Sequence, residues 1–177
     1  MFPVAFHVRG LHYANSPRDQ RTEIGEAMPA SEEEDAVATK TSFTPAEWQT
    51  LRWAVSDTMA YLTMADPGFW DMFKEANAAA HYIAAARQSG SSGLLPELAA
   101  DIKTGRDKEL SGNPTDIAGE VIERVNEAVA IVSAKAPEDL TDFKAFIIGL
   151  AKATAEAAKG TGPIEAEAIA KLEAALG

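Results

Sequence analysis

Cysteine is missing altogether from this chain of 177 residues. Disulfides, thiolate nucleophiles and Cys-based zinc sites are thereby excluded. Basic charge is short as well. Sixteen Lys plus Arg face 27 Asp plus Glu, for a formal net charge of −11. An acidic surface repels phosphate backbones and anionic lipid, so neither nucleic acid nor a membrane surface is an expected partner. Long apolar runs are lacking too, and none approaches the ~20 residues that span a bilayer. The opening MFPVAFHVRGLHYANS is not expected to act as a secretory signal. His7 and Arg9 break its apolar stretch, and no clean small-residue cleavage site comes after it. A cytoplasmic setting is the expectation. Aromatic residues are scarce, at 7% against 46% hydrophobic overall. Ala, Leu, Ile and Val must therefore supply much of the core, and alanine favours helix because it loses no side-chain entropy there.

Residues 1–42 differ from the rest of the chain. They hold Pro3, Pro17, Pro29 and the acidic run Glu32-Glu33-Glu34-Asp35, and no helical or strand period persists. Phe2, Val4, Phe6 and Val8 alternate, which allows one short strand-like piece. The expectation is a disordered or loosely attached tail over 1–42 and a helical bundle domain over 43–177. Met28 opens a second acidic lead-in, MPASEEEDAVATKTS, and translation of the natural product is expected to start there.

From Phe43 onward the pattern is helical. In Phe43-Thr44-Pro45-Ala46-Glu47-Trp48, Thr44 can cap free amides and Glu47 can reach back to the amide of Thr44. Pro45 suits the first helical position, and Phe43 can staple onto Trp48. The helix so begun carries Trp48, Leu51, Val55, Met59 and Leu62 on one face, with Trp53, Ala60 and Met64 on a weaker second face. Asp66-Pro67-Gly68 breaks it. A second helix is predicted to about Gln88, a short one over about 95–104, and another over about 115–134. Pro137 restarts the chain before a helix over 141–159, and a last helix covers 164–176. The 141–159 segment is the most apolar: Phe143, Phe146, Ile147, Leu150 and Ala157 recur at three- and four-residue steps, with Ile148 and Ala151 beside them. It reads as the post around which the rest packs. The fold class is all-α: a mostly antiparallel bundle of five to six helices with a disordered N-terminal tail.

Reactive constellations are few. His81 is the only histidine after residue 42, and neither Glu-x-x-His nor His-Glu-x-x-His surrounds it, so it reads as a surface or half-buried helical residue. Glu120, Glu123 and Glu127 form the densest carboxylate group within a predicted helix. Their position off the apolar stripe makes them a solvated face, with Glu120 able to pair with Arg124 one turn on. Lys103-Thr104-Gly105 matches one part of a serine-enzyme motif whose Ser-x-x-Lys partner is missing. No phosphate loop, dinucleotide fingerprint or Gly-x-Ser-x-Gly is present. The aromatic residues Trp48, Trp53, Phe69, Trp70 and Phe73 gather at the first corner between helices. Core packing accounts for most of them, while an exposed Trp there would suit a protein partner, since Trp is enriched at binding hot spots.

On the phrases FTPAEWQTLRWAV, MADP, SAKAPEDLTDFKAFIIGLAKATAEAAKG and EAEAIAKLEAALG, residues 43–177 resemble a group of uncharacterised bacterial all-helical proteins. Those share a Phe-Thr-Pro-x-Glu-Trp opening and a Lys-Ala-Pro-Glu before the final helices. The resemblance implies fold and a cytoplasmic setting, and no activity. More remotely, Ala65-Asp66-Pro67-Gly68 with Glu75 beyond it is similar to the Ala-Asp-Gly turn and glutamate of TerB-like tellurite-resistance helical domains. Pro67 and the lack of an Asp beside Gly162 depart from that pattern. That similarity implies an acidic metal-associated site at Asp66 and Glu75.

Two functions are therefore expected in order. The first is a non-catalytic, soluble helical interaction module without cofactor, meeting a protein partner through Trp48, Trp53 and Trp70. The alternative is a metal-binding or stress-responsive helical domain holding a divalent ion at Asp66 and Glu75.

Overall fold

The computed structural model describes residues 37–65, 72–88, 93–102, 110, 113–157 and 162–177, with the side chains of 65, 72–76 and 114 left aside. All of these belong to one compact unit, Asp35–Gly177. The described residues form six helices: α1 (Pro45–Ala65), α2 (Met72–Gln88), α3 (Leu94–Asp101), α4 (Pro114–Lys135), α5 (Leu140–Glu156) and α6 (Pro163–Leu176). Short 3-10 turns precede α1 (Lys40–Ser42) and α5 (Pro137–Asp139). The described residues contain no strand, and the all-α bundle expected from the apolar periods is what forms.

The predicted start of α1 is built as its residue types require. Thr44 N donates to Glu47 Oε2 at 2.7 Å, Glu47 N donates to Thr44 Oγ1 at 3.3 Å, and the Phe43 and Trp48 rings lie 5.8 Å apart. Lys135 at the end of α4 adds Nζ to the same Glu47 oxygen at 2.7 Å. That lysine contact, and then the Thr44 bonds, hold the Glu47 carboxyl down from 4.5 to about 2. Its contribution to stability is therefore complete above pH 4.5 and disappears as pH falls toward about 2. In an NMR titration Glu47 should titrate near that lower value, and Lys135→Met should move it back toward the ordinary one. An ordinary midpoint in the unaltered protein would mean that the cap does not form in solution.

Pairings along the helices fix their sense. Glu47 meets Lys135 and Asp57 meets Arg124, so α1 and α4 are antiparallel. Lys152 meets Glu173 while Lys144 lies at Gly177, which makes α5 and α6 antiparallel. Asn113, a cap the sequence reading missed, starts α4 by accepting from the amides of Thr115 and Asp116, both at 3.0 Å. Arg87 of α2 closes the other end of α3, donating to the carbonyls of Ala99 (2.6 Å) and Ile102 (3.2 Å).

The core differs from expectation in where its post stands. Helix α5 buries Phe143, Phe146, Ile147, Leu150, Ala151, Thr154 and Ala155, and packs on α1, α2, α4 and α6. Helix α1, however, touches all five other helices. Its second buried row is Thr50, Ala54, Thr58 and Tyr61; Trp53, Ala60 and Met64 are half-buried or exposed. Thr58 can be fully buried because its hydroxyl donates to Ala54 O at 2.7 Å, so no polar group is stranded. Ala38, five residues before Phe43, is also buried in the core.

Gly149 marks a close approach between α2 and α5. A β-carbon there would stand 2.6 Å from Tyr82 Cζ, whose ring stacks on Phe146 at 5.7 Å between centroids. Gly149→Ala must push Tyr82 off that ring. The expected loss is about 1–3 kcal/mol, the usual cost of overpacking. Denaturant melts would check it, and in a Tyr82→Ala background the further cost of Gly149→Ala should nearly vanish. An undiminished cost would locate the strain elsewhere.

Candidate functional site

Two polar clusters break the apolar interior, and each contains one of the tryptophans singled out by sequence. The first lies where α1 meets the end of α3. Trp48 is 4% exposed, covered by Phe43. Its Nε1 donates to Asp101 Oδ2 at 2.6 Å. Lys40 Nζ reaches the same oxygen at 2.8 Å, and Arg52 Nε lies 3.9 Å away. The lysine bond is the main reason the Asp101 carboxyl sits below its ordinary value, and the indole bond adds to it against the opposing effect of burial. With its ring covered and its N–H spent, Trp48 is a core residue. Trp48, one of the expected contact residues, thus stands in the core.

The second cluster lies on the α1–α4 seam. The apolar row Ile117, Val121, Val125, Ala128 and Val132 faces the core, which leaves Arg124 at its edge with a half-buried stem. The guanidinium lies over the Trp53 ring at 4.9 Å from the centroid. Its Nε is 3.2 Å from Oδ2 of Asp57, a side chain only 7% exposed. A cation on an indole face and beside a buried carboxylate is attracted to both. Gln49 lies one turn before Trp53 on the same face of α1 and accepts from Arg52 Nη1 at 3.1 Å. Among the described residues, Gln49 Nε2 and Trp53 Nε1 are enclosed without a hydrogen-bond partner. Such donors are costly to leave unmade and point to a location with a further requirement.

The remaining candidates do not converge. Glu120, Glu123 and Glu127 are all exposed, and His81 is exposed on α2. Arg124, expected to pair within α4, crosses to α1. Asp66 and Trp70 lie outside the described residues, and Glu75 is described only as part of the α2 backbone. Among the described residues no three metal-ligating side chains come together. Asp139, between α4 and α5, has its carboxyl raised by burial and by the nearby carboxylates of Glu138 and Asp142. That group of like charges brings no nucleophile with it.

Sequence reading missed Asp57, Gln49 and Arg124. The available signal was the position of Asp57 beside Thr58 and within the Ala54–Tyr61 row, which places a carboxylate toward the interior and calls for a cation on a neighbouring helix. No described helix is long and apolar enough to cross a membrane. Comparison with protein-family models, with curated proteins and with solved structures finds no match.

Proposed function

We propose that this chain is a non-catalytic helical interaction module, cytoplasmic in setting, that meets a protein partner at the Trp53–Arg124 corner of the α1–α4 seam. The observation that carries this reading is the half-buried guanidinium stacked on a half-buried indole. Trp and Arg are the residue types that most often dominate binding energy at interfaces. The unspent donors of Trp53 and Gln49 add a reason for an acceptor-bearing partner, such as an acidic segment or its backbone carbonyls. Side-chain rotamers commonly change at interfaces, which is how enclosed donors come to face a partner. The net charge of −11 disfavours nucleic acid there. No described residue favours the divalent-ion alternative.

Affinity capture from native lysate tests the reading, using the full chain, Trp53→Ala and, as control, His81→Ala on the exposed face of α2. The expected result is a protein retained by the unaltered chain and by the His81 variant, and depleted about tenfold or more with Trp53→Ala. Identical captured sets for all three chains would remove this corner as the contact surface.

A further inference from the structure

Residues 37–42 run alongside α3 before the chain enters α1. Val37 Cγ1 lies over Gly93, 3.5 Å from where a β-carbon would stand. Lys40 N donates to Glu97 Oε2 at 2.6 Å, and Lys40 Nζ donates to Asp101 Oδ2 at 2.8 Å. Gly93, Glu97 and Asp101 are four residues apart, so they form one row along the helix. That row is ~12 Å long, which three extended residues and a lysine stem can follow. The Lys40 ammonium also lies over the Trp48 ring, 5.6 Å from its centroid.

What attaches this segment is of a particular kind. Its own main-chain bonds are Ser42 N to Thr39 O, within it, and Phe43 N to Lys40 O, at its junction with the next residue. Among the described residues, no backbone–backbone hydrogen bond joins 37–42 to a helix, and the one main-chain group that reaches α3 is the Lys40 amide on Glu97 Oε2. One small side chain, Ala38, is buried, while Val37 is 56% exposed. The rest of the hold is the contact of one lysine with two carboxylates, and Lys40 Nζ is on the surface with its side chain 54% exposed. Detaching the segment would leave every helical hydrogen-bond ladder intact, and Phe43, stapled on Trp48, is the natural hinge.

We propose that residues 37–42 form a salt-sensitive latch, which opens about Phe43 as a local unit while the six helices stay folded. Low-energy openings occur where apolar contacts are few and the holding bonds are exposed. Opening uncovers the Trp48 ring on the side Lys40 covers, frees the Glu97 carboxylate, and leaves Asp101 to Trp48 Nε1 and Arg52.

Amide hydrogen exchange of the full chain tests this, comparing the unaltered protein with Lys40→Met, which keeps the stem and removes the charge. At low salt the Lys40 and Ser42 amides of the unaltered protein should be protected. In the variant the Ser42 amide, and the methionine amide at position 40, should exchange at least about tenfold faster, with α4 and α5 unchanged. At ~1 M salt, which weakens an ion pair whose lysine is exposed to solvent, the unaltered protein should approach the variant. Three results would overturn the latch: no protection at Lys40 in the unaltered protein, no acceleration in the variant, or equal acceleration in α4 and α5. The last would show that 37–42 opens only with the whole bundle.

Discussion

Phe143→Ala should lower the free energy of unfolding by about 3–5 kcal/mol, the range for emptying an aromatic core site. Phe143 is fully buried at the first turn of α5, and it is the largest such side chain among the described residues. Helix α5 packs on four other helices, so its surroundings are held from several sides and can collapse little into the space. Phe146→Ala belongs at the lower end of the same range. Its ring stacks on Tyr82, which is half-buried and can follow the vacated volume. Ile164, 60% exposed at the start of α6, supplies the control, and its alanine variant should stay within ~0.5 kcal/mol. Urea unfolding measures all three, provided the slope is unchanged. A loss below ~1 kcal/mol for Phe143 would mean that α5 is not part of the core.

That prediction rests on a feature legible in the residues alone. The 141–159 stripe needs only the spacing of Phe143, Phe146, Ile147 and Leu150 to be recognised as a buried helical face, and those residues are buried. The same is true of the α1 start, where Thr44, Glu47, Phe43 and Trp48 make the contacts their order implies. Legibility ends where polar side chains do core work. Thr58 reads as polar in a hydropathy pattern, yet its hydroxyl is satisfied within its own helix and its remaining atoms pack as a small apolar residue would. Without Thr58 and Tyr61 in the count, α1 shows one strong face instead of two, and α5 looks like the post. The lead-in at 37–42 is hidden for a related reason. A segment anchored by a lysine on two distant carboxylates leaves no period in the chain, since Lys40 and Asp101 are related only by the folding of α3 onto α1.

Trp48 and Trp53 both lie on α1 near its start, Trp48 on the strong apolar face and Trp53 on the weaker one. They are parted by which helix supplies the polar partner. Asp101 of α3 takes the indole N–H of Trp48 and closes that site. Arg124 of α4 lies on the face of Trp53 and leaves its N–H unspent. Spacing separates the two faces, but both partnerships are relations between helices, so the partner of each indole was not legible in the chain.

Arg124→Met is the second large effect expected. A fully buried ion pair that loses one partner costs about 3–5 kcal/mol, because the other charge remains in low dielectric. A fully exposed pair costs ~0–1 kcal/mol. Here the aspartate side chain is 7% exposed and the arginine 16%, so the site is much closer to the first case, and a little water reaches it from the arginine side. The expected loss is therefore about 2–3 kcal/mol, including up to ~1 from the stack on Trp53. Lysine should not substitute, since an ammonium lacks the planar group that lies on the indole and reaches the carboxylate at once. A double-mutant cycle with Asp57→Asn separates the pair from everything else each residue does, and should return a coupling of ~1–2 kcal/mol. Additive losses would mean that the two charges, though 3.2 Å apart, do not depend on each other. The size of this effect also decides how the interaction surface can be tested. A variant that weakens the bundle by several kcal/mol cannot report on binding alone, so the capture experiment has to be made through Trp53, with Arg124 left in place to hold α1 against α4.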